Sequence, residues 1–234
     1  MNDSPSVSFV LPMYNESANI TASIRKIKSI APEMTPDHEI IIADDASTDG
    51  SADIVESISR KDSSVKLIRL PENTMFGGAF AAGFKAASKD VIMYMDADMP
   101  VGEEDIKRSF PLIKNAHIVT GYSKVKKGDT LKRKIISVGY NLLVRSLFRL
   151  DIRDINSGYK IVRRELVEDM QFISRSPFVD VELFLHAKRK GARVEQYPLV
   201  FTSRPGGKSY IARIPVIWAT FCDMIKVRAL TLKG

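Results

Sequence analysis

The sequence predicts an α/β protein: a Rossmann-like, mostly parallel sheet flanked by helices, with amphipathic helices towards the C-terminus. Three observations predict it. Apolar runs of strand length alternate with helical periodicity through the first half of the chain. Those runs are nearly continuous rather than alternating, as in sheets covered on both faces. Three of them end in polar clusters, "LPMYNES", "ADDASTDGS" and "MDADMP", at the strand ends where open parallel sheets bind ligands.

The elements follow in order. "SVSFVLP" (6–12) reads as the first strand. Ile20, Ile24 and Ile27 then recur at helical spacing, and Pro32 marks the helix end. A strand at 38–45 leads into a helix with Ser51 as its cap and Ile54, Val55 and Ile58 on one face. After a strand at 65–70, "GGAFAAGFKAAS" is a small-residue helix. Its Gly77 and Gly78 read as loop and close packing, because the dinucleotide spacing G-x-G-x-x-G is missing. A strand at 90–96, a helix from "EEDIKRSF" whose end Pro111 complicates, and a strand at 117–122 complete the first half.

The second half changes character. Residues 131–150 form an amphipathic helix, with Arg133, Ser137, Asn141, Arg145 and Arg149 at steps of four. Ile135, Leu142, Leu143 and Leu147 lie largely on another face. A strand in "GYKIVRR", a helix around "VELFLHAKRKG", a strand "RVEQYPLVF" and a loop "TSRPGGKSY" follow, then an apolar and basic tail. No flexible linker or repeat divides the chain, which reads as one domain. The main part spans 1–210, with halves at about 6–122 and about 123–210, and the tail is 211–234.

Composition narrows the class. One cysteine in 234 residues excludes an internal disulfide framework. The N-terminus reads as a strand rather than a signal peptide. No window reaches the roughly 18 apolar residues that span a bilayer. A formal net charge of +7 favours a polyanionic partner: nucleotide, nucleic acid or anionic lipid surface.

Each polar strand end has two readings. Asp96 and Asp98 face one space if the strand continues between them. Like charges so placed suit a hard divalent cation, Mg²⁺ or Mn²⁺, bridging to phosphates; the other reading is a strand-to-helix turn. Asp44 and Asp45 could accept hydrogen bonds from a nucleobase or ribose, or simply build a turn. Tyr14 offers a face for base stacking, while Asn15 would cap the next helix and Glu16 suit its first turn.

The joint pattern is more specific than its parts. A strand ending P-x-Y-N-E, one ending D-D-x-S-T-D-G-S and one ending D-A-D resemble the inverting glycosyltransferases of family two, with the nucleotide-sugar-binding glycosyltransferase-A fold. "LKRKIISVGYNLL", "RDINSGYKIVRRE" and "RPGGKS" resemble their polyprenol-phosphate branch. The resemblance covers roughly residues 6–210, and would make the main part catalytic, with the half at about 6–122 nucleotide-binding and the half at about 123–210 acceptor-binding. It implies that Pro12, Tyr14, Glu16 and Asp45, with Asp44 and Ala97, hold the nucleoside. Asp96 and Asp98 would bind the Mg²⁺ or Mn²⁺ on the sugar-nucleotide diphosphate. Arg204 would add positive charge there, and Lys208 would serve the diphosphate or the acceptor phosphate. Arg153 and Ser157 would grip the acceptor phosphate, with Arg133 a weaker candidate.

The implied reaction moves one sugar from GDP-mannose or a UDP-sugar to a polyprenyl or dolichyl phosphate, with inversion, at a cytoplasmic membrane face. The partners would be donor, lipid acceptor, membrane surface and conceivably an anchoring subunit, but no nucleic acid. An ionised phosphate acceptor needs no general base, and none of His38, His117 and His186 lies in a motif. Two alternatives remain. A hydroxyl acceptor would use Asp180 or Glu182 as base. A catalytically weak, membrane-recruited subunit would fit two departures from the family: Pro100 stands where relatives carry a Gln, and Lys124 where they carry an Arg.

Overall fold

The computed structural model describes residues 4–126, 131–201 and 214–231. Its strands are β1 (Val7–Met13), β2 (His38–Asp44), β3 (Val65–Arg69), β4 (Val91–Met95), β5 (Ile118–Lys126), β6 (Tyr159–Arg163) and β7 (Val194–Phe201). They form one sheet in the order β3-β2-β1-β4-β6-β5-β7. The helices are α1 (Ile20–Met34), α2 (Ser51–Ser59), α3 (Met75–Ala86), α4 (Glu103–Ser109), α5 (Leu131–Phe148), α6 (Arg164–Val167), α7 (Val179–Arg189) and α8 (Ile214–Thr231).

Side-chain parity along β1 builds a core on each face of the sheet. Val7, Phe9, Leu11 and Met13 join α1, α2 and α4 in one buried cluster. Val10 points the other way, into a cluster with Phe80 and Phe84 of α3, Val144 and Phe148 of α5, and Phe184 of α7. Val10 also explains Gly83, where a Cβ would stand 2.4 Å from Val10 Cγ1.

The sheet departs from an all-parallel one at β6, which runs antiparallel to both β4 and β5. The remaining strands share one direction. The start of β6 therefore lies at the same edge as the carboxyl ends of β1, β2 and β4. That edge carries the polar clusters.

Local expectations are corrected in three places. Pro32 lies inside α1, which continues to Met34; only the Pro nitrogen, not the residues after it, loses a helical hydrogen bond. Gly50, at φ +85°, precedes α2, and Ser51 is the first helical residue instead of its cap. Gly77 and Gly78 are in the first turn of α3 rather than a loop. Their close packing is real: a Cβ on Gly77 would meet the Ser174 carbonyl oxygen at 2.4 Å.

On α5, Val144 and Phe148 are buried while Val138, Leu142, Leu143 and Leu147 are exposed. On α8, Val216, Met224 and Val227 pack inward. Ile214, Trp218, Phe221 and Ile225 make an outward stripe at steps of three and four. No described helix is long and apolar enough to cross a membrane.

Candidate active site

The loops after β1 and β2 are stitched together by short side chains. Asn15 N–H donates to Ser47 Oγ at 2.9 Å, and Glu16 N–H to Ser51 Oγ at 2.8 Å. Ser17 N–H reaches Asp49 Oδ2 at 3.0 Å, and Thr48 N–H reaches Asn15 Oδ1 at 2.8 Å. These bonds hold Asp49 low, at about pKa 2, where hydrogen bonds from Ser51 and Ser17 outweigh desolvation. Asn15 therefore ties two loops and does not cap α1, whose N-cap is Asn19. Glu16 Oε2 accepts from Asn19 Nδ2 at 2.7 Å. Pro12 and Tyr14 are half-buried at this rim.

Among the described residues, four of the five non-glycine residues with positive φ sit along this edge: Asn15 (56°), Ala46 (59°), Met75 (64°) and Met99 (43°). Backbone strain of this kind costs on the order of 1–3 kcal/mol per residue and gathers at binding sites.

Asp44 and Asp45 are buried and form the floor of the rim. Asp44 accepts from Ser47 N–H at 3.2 Å. Asp45 Oδ1 accepts from both the N–H and the hydroxyl of Thr74, at 2.6 and 2.8 Å. Burial raises the Asp45 pKa, and the Thr74 bonds pull against it. Its carboxylate thus pins the start of α3.

Asp96 and Asp98 follow β4 on a tight turn closed by Met99 N–H donating to Asp96 O at 2.8 Å. Ala97 is buried, and its carbonyl accepts from Ser23 Oγ of α1 at 2.6 Å. Asp96 Oδ1 accepts from Tyr94 Oη at 2.6 Å. Burial and the Asp96 charge push the Tyr94 phenol well up, so it remains a donor.

A Mg²⁺ or Mn²⁺ ion fits this donor set. Such ions are held by one or two carboxylates, with substrate phosphates and water completing the shell. Gly158 keeps the space open, since a Cβ there would stand 2.3 Å from Asp96 Oδ2. Among the described residues no group of three or more His, Cys, Asp or Glu could hold a metal unaided, as suits an ion that shares its shell with phosphates.

The segment before β6 forms the opposite wall. Arg153 is exposed, with its guanidinium 4.7 Å from the Tyr122 ring centroid. It lines a hollow of about 280 Å³ with Tyr122, Ser123, Ser137, Asn141 and Arg145. Ser157, expected beside it, is buried, and a Cβ on Gly121 would meet its Oγ at 3.2 Å. In this arrangement it braces the loop and does not face the hollow. Arg204 and Lys208 lie outside the described residues, as do the side chains of Arg133 and Lys124.

Several residues here carried no recognised signal. Asn141 Oδ1 accepts from Ile155 N–H at 3.0 Å, and Gln196 Oε1 from Arg153 N–H at 2.7 Å. Lys160 is fully buried and pairs with Asp180 Oδ1 at 2.9 Å. Burial lifts the Asp180 pKa to about 6, against the pull of Lys160. Glu182 accepts from the N–H groups of Ile173 and Ser174, at 2.8 and 2.6 Å. A lysine in an apolar strand was the one available hint, because a buried charge demands a partner.

A strained, stitched rim and a paired carboxylate turn on a mostly parallel sheet match a known pattern. The model of glycosyl transferase family 2 covers residues 8–171. The chain belongs to that family.

Among curated members, an undecaprenyl-phosphate mannosyltransferase of Micrococcus luteus is 28% identical over 210 residues, or 86% of this chain and 85% of that protein. An undecaprenyl-phosphate 4-deoxy-4-formamido-L-arabinose transferase of Yersinia pestis is 30% identical over 185 residues, or 78% of this chain but 57% of that one. The glycosyltransferase AglD of Haloferax volcanii is 27% identical over 82% of this chain, which spans 32% of AglD. Glucosyl-3-phosphoglycerate synthase of Mycobacterium tuberculosis, solved with Mn²⁺ and UDP-glucose, superposes with a TM-score of 0.68 at 19% identity, over 94% of this chain and 77% of that one. That identity speaks for the fold alone, and the fold is the glycosyltransferase-A type expected from the resemblance.

Proposed function

We propose that this family 2 glycosyltransferase moves one sugar from a nucleotide-sugar to a polyprenyl phosphate at a membrane surface, with inversion. The observation that carries this reading is the state of Asp180 and Glu182. Either could serve a hydroxyl acceptor as base only with a free carboxylate facing it, yet both are buried, one paired with Lys160 and the other with two backbone N–H groups. An ionised phosphate needs no base. Its oxygen attacks the anomeric carbon, the bond from that carbon to the diphosphate breaks, and the diphosphate leaves with the electron pair. No proton moves.

The residues then divide the work. Pro12, Tyr14, Glu16, Asp44, Asp45 and Ala97 shape the nucleoside region. Asp96 and Asp98 hold a Mg²⁺ or Mn²⁺ ion, which when bound neutralises charge building on the diphosphate. Arg153 faces the acceptor anion, as the fork of a guanidinium suits phosphate oxygens. Arg133, Arg204 and Lys208 stay assigned to the two phosphates. Ser157 holds the acceptor loop in shape. Positioning and charge stabilisation supply the rate.

The membrane reading rests on α5 and α8. Trp218 and Phe221, 66% and 45% exposed, stand on the outward stripe of α8. Lys188 and Arg189 of α7 and Arg228 of α8 line a hollow of about 320 Å³ with Phe148 and Leu185. Apolar and cationic groups together suit a helix lying in the interface of an anionic bilayer.

Calorimetric titration with UDP-sugars and GDP-sugars, with and without Mn²⁺, tests the donor half. Binding that needs Mn²⁺ and is lost in Asp98→Ala is expected. Comparing a polyprenyl phosphate with the free polyprenol tests the acceptor half, and turnover of the alcohol at a similar rate would overturn it.

A further inference from the structure

Lys160 sits where the two halves of the site meet. Its strand β6 pairs with β4, and Lys160 lies opposite Tyr94. Its ammonium donates to Ser157 O at 2.6 Å, forms an ion pair with Asp180 Oδ1 at 2.9 Å, and lies 5.3 Å from the Tyr94 ring centroid. Tyr94 in turn donates to Asp96. The main chain repeats the link, since Asp96 N–H donates to Gly158 O at 3.1 Å. A buried ion pair is a poor way to gain stability, because desolvation offsets most of the attraction. Its placement, touching both the cation-site strand and the acceptor loop, gives it another use.

We propose that Lys160 is a positioning residue that couples the cation site at Asp96 to the acceptor loop 151–158, so that metal–nucleotide and acceptor phosphate each tighten the other's binding. The inference rests on the glycosyl-transfer reading above. A displaced Ser157 carbonyl moves Gly158, and Gly158 is packed against Asp96 Oδ2 with no room to spare. The coupling is reciprocal, as any linkage between two binding sites must be.

The test is Mn²⁺ affinity in the presence of UDP or GDP, read from free Mn²⁺ by electron paramagnetic resonance, with and without geranyl phosphate. The native chain should bind Mn²⁺–nucleotide about fivefold or more tightly when geranyl phosphate is present, the lower end of common coupling. Tyr94→Phe, which removes one hydroxyl, and the double variant Lys160→Met with Asp180→Leu, which leaves no lone buried charge, should still bind each probe. In both, the enhancement should fall towards one. Unchanged enhancement in both variants overturns the inference. So does a native chain that binds both probes without enhancement, or binds Mn²⁺–nucleotide and never geranyl phosphate. A native chain that binds no nucleotide sinks the glycosyl-transfer reading as well.

Discussion

The two walls of the site are built by different means. On the donor side, the loops after β1 and β2 are locked by short side chains onto backbone N–H groups, and the strained residue Asn15 is held in place by that lock. On the acceptor side, one loop hangs between Asn141, Gln196 and the buried Lys160, and the helices beside it expose leucines and arginines. The donor wall is shaped before any ligand arrives. Under the proposed function, the acceptor wall suits a ligand that brings an apolar surface with it.

The sharpest way to break this contrast is Asp98→Ala. Losing a charge-stabilising group costs on the order of 10²–10³-fold in turnover, and steady-state rates with donor and polyprenyl phosphate measure it. A loss below tenfold would remove the cation from the donor wall.

A second probe is the pH dependence of Asp180. Its folded pKa of about 6 stands above the model value of 3.8. Between those values the folded chain binds more protons than the unfolded one. Stability therefore falls as pH rises through that window and levels off above about 6, a contribution on the order of 2–3 kcal/mol. Urea denaturation across the window should show this slope in the native chain and not in Asp180→Asn. Equal slopes would mean that Lys160 keeps Asp180 ionised throughout.

Gly77→Ala tests the seam between the first turn of α3 and residues 174–175. The added Cβ would meet backbone on the far side, at 2.4 Å from Ser174 O and 2.7 Å from Arg175 C. Overpacking of that kind costs about 1–3 kcal/mol, visible as a lower denaturant midpoint. No shift would show the seam to be loose.

The smallest expected effects separate packing from membrane contact. Trp218→Ser with Phe221→Ser should leave stability within about 0.5 kcal/mol while weakening binding to phosphatidylcholine vesicles about a hundredfold or more, since each buried ring contributes roughly 1.5–3 kcal/mol. Arg189→Gln should weaken binding only to vesicles containing phosphatidylglycerol, by about 1 kcal/mol. Loss of stability without loss of vesicle binding would return α8 to the core.

What was legible in the sequence follows the same division. Pro12, Tyr14, Asp45 and Asp96 sit in short contiguous motifs at strand ends, and a parallel sheet brings strand ends together without further instruction. Strand direction has no local signature, so "GYKIVRR" announced a strand but not that it runs backwards. Nor could spacing reveal that Lys160 meets Asp180 from another element, or that Ser157 turns inward. Asn15 was misread for a plain reason. An Asn before a helix is most often a cap, and only the fold shows that Thr48 of the neighbouring loop has claimed its side chain.

The reversed strand has one more consequence. The chain leaves the sheet at the end of β5 and returns at the start of β6, and these two strands are neighbours. Because Thr120 and Lys160 are register partners, the excursion between them leaves and rejoins the β5–β6 ladder on one rung. Its outer part can lengthen or shorten without moving the register of any strand, provided that Val144 and Phe148 keep α5 on the core, and doubling a flexible loop adds only about 0.6 kcal/mol. The acceptor wall is built as a replaceable cassette. Under the proposed function, a graft of this segment between family members is the natural unit of exchange.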